Sequence, residues 1–143
     1  MKRAGPVLIA ALSATCASAV KPQWGPLAVV RTDADMEARE EGRLVLTDEC
    51  AFIERQGERM LLVWPVERTK WDPTTGEVSF ERFDGQIVAV RDGQDVVLAG
   101  GGSSEAEDGL SGEEWAAQFD WVASPAPGCV GEARWLVSDV LPD

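Results

Sequence analysis

The sequence predicts a mainly β protein: a small antiparallel barrel or rolled sheet of about six strands, with a five-stranded OB-like barrel as one such shape. One short helix is expected in the C-terminal third. Three observations predict this. Apolar residues alternate with a period of two in short runs from Gly42 onward. Tight-turn signals at Gly57, Asp84-Gly85 and Asp92-Gly93 separate those runs. A single segment, SGEEWAAQF, has the acidic start and the Ser cap of a helix.

In RLVLTDECAFIE, the residues Leu44, Leu46, Cys50 and Phe52 share one parity, interrupted by Asp48. This reads as a first strand with Cys50 on its buried face and a bulge near Asp48. After the turn at Gly57, MLLVW is apolar at every position, as in a central strand, and Pro65 ends it because proline cannot donate to a ladder. PVERTKWDPTTG reads as a polar loop with turn residues at Asp72-Pro73 and Gly76. EVSFERF, IVAV and VVLAGG follow as strands joined by the two Asp-Gly turns, a meander that Gly100 to Gly102 would end. SSEAEDGLSG is an acidic loop, Ser111 opens the short helix, VASPAPG is a Pro-rich connection, and ARWLVSDV is the last strand.

The 143 residues suffice for one domain with its own core, and 45% of them are hydrophobic. The formal charge of −12 repels phosphates and anionic head groups, so no nucleic-acid partner is expected. Histidine and tyrosine are absent. Ser-His-Asp and Cys-His catalysis are therefore excluded within the chain, as is zinc chemistry of the usual His-bearing kind. No catalytic set, metal-ligand set or cofactor motif is selected. Glu105, Glu107, Asp108, Glu113 and Glu114 lack the EF-hand spacing and read as a solvated charge run. The triple glycine at Gly100 is followed by no Lys-Ser/Thr, so it is no phosphate loop; it suits a sharp turn or a close backbone approach.

Residues 1–19 have the three regions of an export signal: Lys2 and Arg3, an apolar Pro6 to Ala14, and Ala17-Ser18-Ala19 as an A-x-A cleavage site. The apolar run is too short for a spanning helix. Two processing outcomes compete. Cleavage after Ala19 discards Cys16; alternatively LSATC resembles a lipobox, and Cys16 becomes a lipidated first residue, the one membrane attachment expected. Either route leaves Cys50 and Cys129 in an oxidising compartment, where a disulfide between them is expected, the alternative being two buried free thiols. Residues 20–41, with Pro22, Gly25 and Pro26, read as a tether that includes a short helical turn between Asp33 and Glu41. Residues 42–143 are then a single disulfide-closed β-domain.

Of the six tryptophans, Trp64 and Trp135 fall in strands and belong to the core, and Trp115 packs the helix on the sheet. Trp71 lies in the polar loop between Lys70 and Asp72, where an exposed indole can stack on a sugar or a partner. That trio is the candidate binding surface; the other reading of Trp71 folds it back over a barrel mouth.

The stretches GRLVLTDECAFIE, LLVWP, VVLAGGG, GCVG and RWLV together resemble a group of uncharacterised bacterial secreted proteins and lipoproteins. The shared positions are Cys50, Val63-Trp64-Pro65, Gly100 to Gly102, Cys129 and Trp135-Leu136-Val137, and the resemblance covers Gly42 to Val140. It implies export, the disulfide and the β architecture, and no activity. The functional expectation is a non-enzymatic binding or structural module, secreted, periplasmic or lipid-anchored to the envelope, whose partner is a protein or an envelope component. The alternative is a small glycan hydrolase using two carboxylates.

Overall fold

The computed structural model describes residues 23–32 and 35–142. The expected export signal, including Cys16, lies outside the described residues. The elements run β1 (Ala28–Val30), β2 (Ala38–Leu46), β3 (Ala51–Arg55), β4 (Glu58–Pro65), β5 (Thr69–Asp72), β6 (Glu77–Glu81), β7 (Ile87–Arg91), β8 (Asp95–Ser104), α1 (Glu105–Asp108), α2 (Gly112–Ala116), β9 (Trp121–Ala123), a 3-10 turn (Pro127–Cys129) and β10 (Ala133–Leu141).

Five strands close a barrel, in the order β10-β8-β2-β3-β4. Its seam is the parallel pairing of β10 with β4, Arg134 opposite Leu61 and Leu136 opposite Val63. In chain order the wall therefore reads first-second-third-fifth-fourth, the Greek-key closure of an OB-type barrel. The interior is filled by Leu44, Ile53, Leu62, Trp64, Leu98, Trp135 and Val137. β5, β6 and β7 form a separate three-stranded sheet. Its inner residues Val78, Phe80 and Val90 join the same core, with Trp64 and Phe80 edge to face at 6.1 Å.

A second core lies outside the barrel wall. Leu61 and Val63 alternate with Leu62 and Trp64 along β4, so one set faces inward and the other outward. This is why MLLVW is apolar at every position. The outward set packs with Ala28, Val30, Trp115, Cys50 and Cys129.

Four sequence-based expectations are corrected. The tether is the first. Trp24 and Leu27 to Val30 are buried, and β1 pairs parallel with β4, Val29 opposite Trp64. A short apolar run between turn formers is here a fully buried strand and not a linker. Ala38 to Glu41, expected as helix, open β2 and pair with β8. The second concerns RLVLTDECAFIE, which is a hairpin. Thr47 turns the chain: its N–H donates to the Cys50 carbonyl at 2.9 Å, and its hydroxyl accepts from the Cys50 N–H at 3.0 Å. The turn shifts the register, so Leu44 lies opposite Ile53 inside the barrel while Cys50 and Phe52 belong to the outer core.

The third is the triple glycine, which does not end its strand. β8 runs through it to Ser104, paired with β10, with Gly100 and Gly102 against Trp135 and Gly101 against Met36. A Cβ on Gly100 would stand 1.8 Å from the Leu136 carbonyl oxygen, and one on Gly102 would stand 2.8 Å from the Trp135 ring. The fourth is the meander, which is β5-β6-β7 and not β6-β7-β8. The Asp92-Gly93 turn hands the chain to the barrel: Gly93 donates to the Leu44 carbonyl at 2.8 Å, and Leu46 donates to Asp92 Oδ1 at 2.8 Å.

Candidate functional site

The expected trio does not make a surface. The segment read as a polar loop is strand β5, and its side chains alternate. Lys70 and Asp72 are exposed, whereas Trp71 is half-buried and packs against the barrel core. The indole lies over Gly25, where an added Cβ would meet Trp71 Nε1 at 2.3 Å. Trp71 thus closes the core against the N-terminal segment, and Lys70 faces the other way. Asp72 serves its own turn. The backbone N–H groups of Thr74 and Thr75 donate to its carboxylate at 2.9 and 3.3 Å, and they hold its pKa below the ordinary 3.8.

A concavity lies above the outer core. Its framework is built from a few local decisions. Ser111 caps α2 and forms a capping box with Glu114, each side chain accepting from the other's backbone N–H. Gly112 lets the start of α2 press on Val130, since a Cβ there would lie 2.6 Å from Val130 Cγ1. Trp115 points down into the outer core and meets Phe119 at 4.9 Å and Trp121 at 5.9 Å between ring centroids. Trp121 is fixed by its indole N–H, which donates to the Ala116 carbonyl at 2.7 Å.

Two further ties hold this layer to the barrel. The Cys50–Cys129 disulfide, with 5.5 Å between α-carbons, joins the start of β3 to the turn before β10. It therefore staples the outer layer to the wall and does not seal the barrel interior. Arg134, fully buried on β10, ion-pairs with Asp108 at 3.1 Å, donates to the Glu132 carbonyl at 3.3 Å, and stacks 5.0 Å from the Trp115 ring. The α1–α2 segment is thus clamped from below.

The cavity above this framework measures about 580 Å³. Trp121, Ala116, Pro125 and Val130 supply apolar lining, Ser124 a hydroxyl, and Glu113 the single carboxylate. An indole face beside prolines takes apolar or planar groups, and an exposed carboxylate at the rim takes a cation. Among the described residues no cluster of three or more acidic, Cys or His side chains is placed to hold a metal ion.

Sequence reasoning placed Trp115 correctly and passed over Trp121. The available signal was its position three residues before the Ser124-Pro125-Ala126-Pro127 tract, an aromatic residue close to rigid backbone. The disulfide is compatible with an extracytoplasmic location, and no helix of the described residues is long and apolar enough to cross a membrane. No protein-family profile, curated protein or solved structure matches this chain.

Proposed function

We propose that the protein is a non-enzymatic binding module that works outside the bacterial cytoplasm, and that the Trp121 cavity is its recognition site. The observation that carries this reading is the chemistry of that cavity: apolar walls, an indole, and one carboxylate at the rim. The fitting ligand is an apolar or planar group with a cationic substituent, presented by a protein or an envelope component. The net charge of −12 adds a long-range preference for cations. Two-carboxylate hydrolysis needs a pair of acids flanking one bond, and this lining supplies one. The export signal read in residues 1–19, the resemblance to secreted bacterial proteins, and the disulfide support the location.

The reading is tested by a fragment screen followed by the indole N–H resonance of Trp121 in NMR. Cationic aromatic fragments are expected to shift Trp121 and its neighbour Val130, and Glu113→Ala should weaken them while sparing neutral aromatics. A screen in which no fragment at millimolar concentration perturbs Trp121 refutes it. Intact-mass analysis of the protein from its native host separates cleavage after Ala19 from lipid attachment at Cys16.

A further inference from the structure

The three-stranded sheet has two edges, and they are built differently. β5, at one edge, carries Lys70 and Asp72 and runs into Pro73. β7, at the other, reads Ile-Val-Ala-Val before its first charge at Arg91. Natural sheets blunt exposed edges with charge and proline. β5 is blunted in this way and β7 is not.

The ladder shows which groups β7 leaves open. Arg82 N–H donates to the Gln86 carbonyl at 2.8 Å, so that pair is hydrogen-bonded. Alternation along the antiparallel ladder then bonds Phe80 with Val88 and Val78 with Val90. Ile87 and Ala89 lie between and turn their N–H and C=O groups away from β6. Among the described residues these four groups have no hydrogen-bond partner. Arg91 is different: its N–H donates to Gln94 Oε1 and its carbonyl accepts from the Gln94 N–H, both at 3.2 Å. A groove of about 340 Å³ runs beside the strand, floored by Val88, Val90, Val96 and Val140. Ala89 lines the groove, and Ile87, two positions before it on the strand, is 71% exposed.

We propose that β7 is a dimerisation edge that pairs antiparallel with β7 of a second copy of this chain, with the two-fold axis at Val88. This register follows from the open groups. Ile87 of each copy faces Ala89 of the other, so all four free groups on each strand are used and Gln94 keeps its bonds to Arg91. On the outer face the two Ile87 and two Ala89 side chains form one apolar row. On the inner face the two Val88 side chains meet as a close, non-hydrogen-bonded pair within the groove. Charges at the ends agree: Arg91 of each copy falls opposite Gly85 of the other, beside the exposed carboxylate of Asp84. A register one step further along would set Arg91 against Ile87 and break the Gln94 bonds. The blunted β5 edge offers no such pairing. Each copy carries −12, so long-range repulsion opposes the contact and salt strengthens it. A single strand pair falls below the roughly 1,200 Å² of a standard interface, so the dimer is weak and concentration-dependent.

Sedimentation equilibrium of the full disulfide-bonded protein, from micromolar to millimolar concentration, tests this. The average mass should rise toward twice the monomer and rise further at high salt. Ala89→Pro removes an N–H that β6 does not use, and Ile87→Lys places a charge on the open edge. Each should return the mass to that of the monomer with an unchanged near-ultraviolet circular dichroism spectrum. Val88→Cys should give a disulfide-linked dimer on mild oxidation, and Lys70→Cys on the other edge should not. A wild-type chain that stays monomeric at millimolar concentration overturns the proposal. So does a dimer that survives Ile87→Lys, and so does a dimer that Val88→Cys fails to cross-link.

Discussion

Removing the carboxylate of Asp108 is expected to cost more stability than removing the buried arginine it pairs with. Arg134 is fully buried, and its Nη2 donates to both carboxylate oxygens of Asp108, at 3.3 and 3.1 Å. Asp108→Ala strands the guanidinium beneath α1 with the Glu132 and Leu110 carbonyls and the Trp115 ring as its remaining neighbours. Truncating one partner of a buried pair typically costs about 3–5 kcal/mol. The Asp108 side chain is 27% accessible, so water reaches the vacated position and the expected cost falls to about 2–3 kcal/mol. Arg134→Met removes the charge and keeps an apolar stem over Trp115, and the carboxylate it leaves behind is hydrated. That change is expected to cost about 1 kcal/mol, and the double variant should resemble it, because the two residues act as one unit. Urea unfolding followed by tryptophan fluorescence measures all three. With a slope of about 2 kcal/mol per molar, Asp108→Ala should lower the midpoint by about 1 M. A cost for Asp108→Ala within about 0.5 kcal/mol of zero, the range of ordinary surface changes, refutes the clamp. So does a larger cost for Arg134→Met than for Asp108→Ala.

The disulfide spans 79 positions, and on chain-entropy reasoning its loss removes up to about 4.5 kcal/mol; paired urea titrations of wild type and Cys50→Ala/Cys129→Ala should differ by most of that, and a difference under about 1 kcal/mol would show that it does not constrain the unfolded chain. Gly100→Ala places a methyl 1.8 Å from the Leu136 carbonyl and should open the β8–β10 ladder, whereas Gly131→Ala, with nothing within 4 Å of its added carbon, should be nearly neutral; hydrogen exchange of β10 amides compares them, and equal protection in both variants contradicts the packing argument. Asp72 has a folded-state pKa held below 3.8 by two backbone donors. Its contribution to stability is fully present above the unfolded value and lost as pH falls through the folded one. Asp72→Ala should therefore flatten the stability curve below about pH 4 and leave its shape near pH 7 unchanged; an unaltered acid limb would contradict this.

The sequence was legible where local chemistry decides structure. The Asp84-Gly85 and Asp92-Gly93 turns, the Ser111 cap and the two-faced strand at MLLVW all stood in short windows, and the cysteine pair followed from a count. It was opaque where a distant segment decides. Trp24 and Leu27 to Val30 become core because β1 pairs with the end of β4 that runs on past its pairing with β10, and no local signal announces that. Gly100 and Gly102 lie against Trp135, more than thirty positions on, and Gly101 against Met36, more than sixty positions back, and neither contact is visible in the run itself. Trp71, with polar neighbours, reads either as an exposed indole or as one folded back over the barrel, and only the alternation along β5 decides that it turns inward. The Trp121 cavity draws on α2, β9 and the 3-10 turn together, so it existed in no single window.

The position of β10 also bears on how the molecule comes into being. It is the final described strand, and it lies between β8 and β4. A chain emerging with its amino end first can form the β3–β4 and β6–β7 hairpins early, but its cylinder stays unzipped until residues 133–141 arrive. Parallel seams that join remote segments form slowly. Closure of the cylinder is thus the last event, and a polypeptide released before residue 133 is expected to hold hairpins without a barrel.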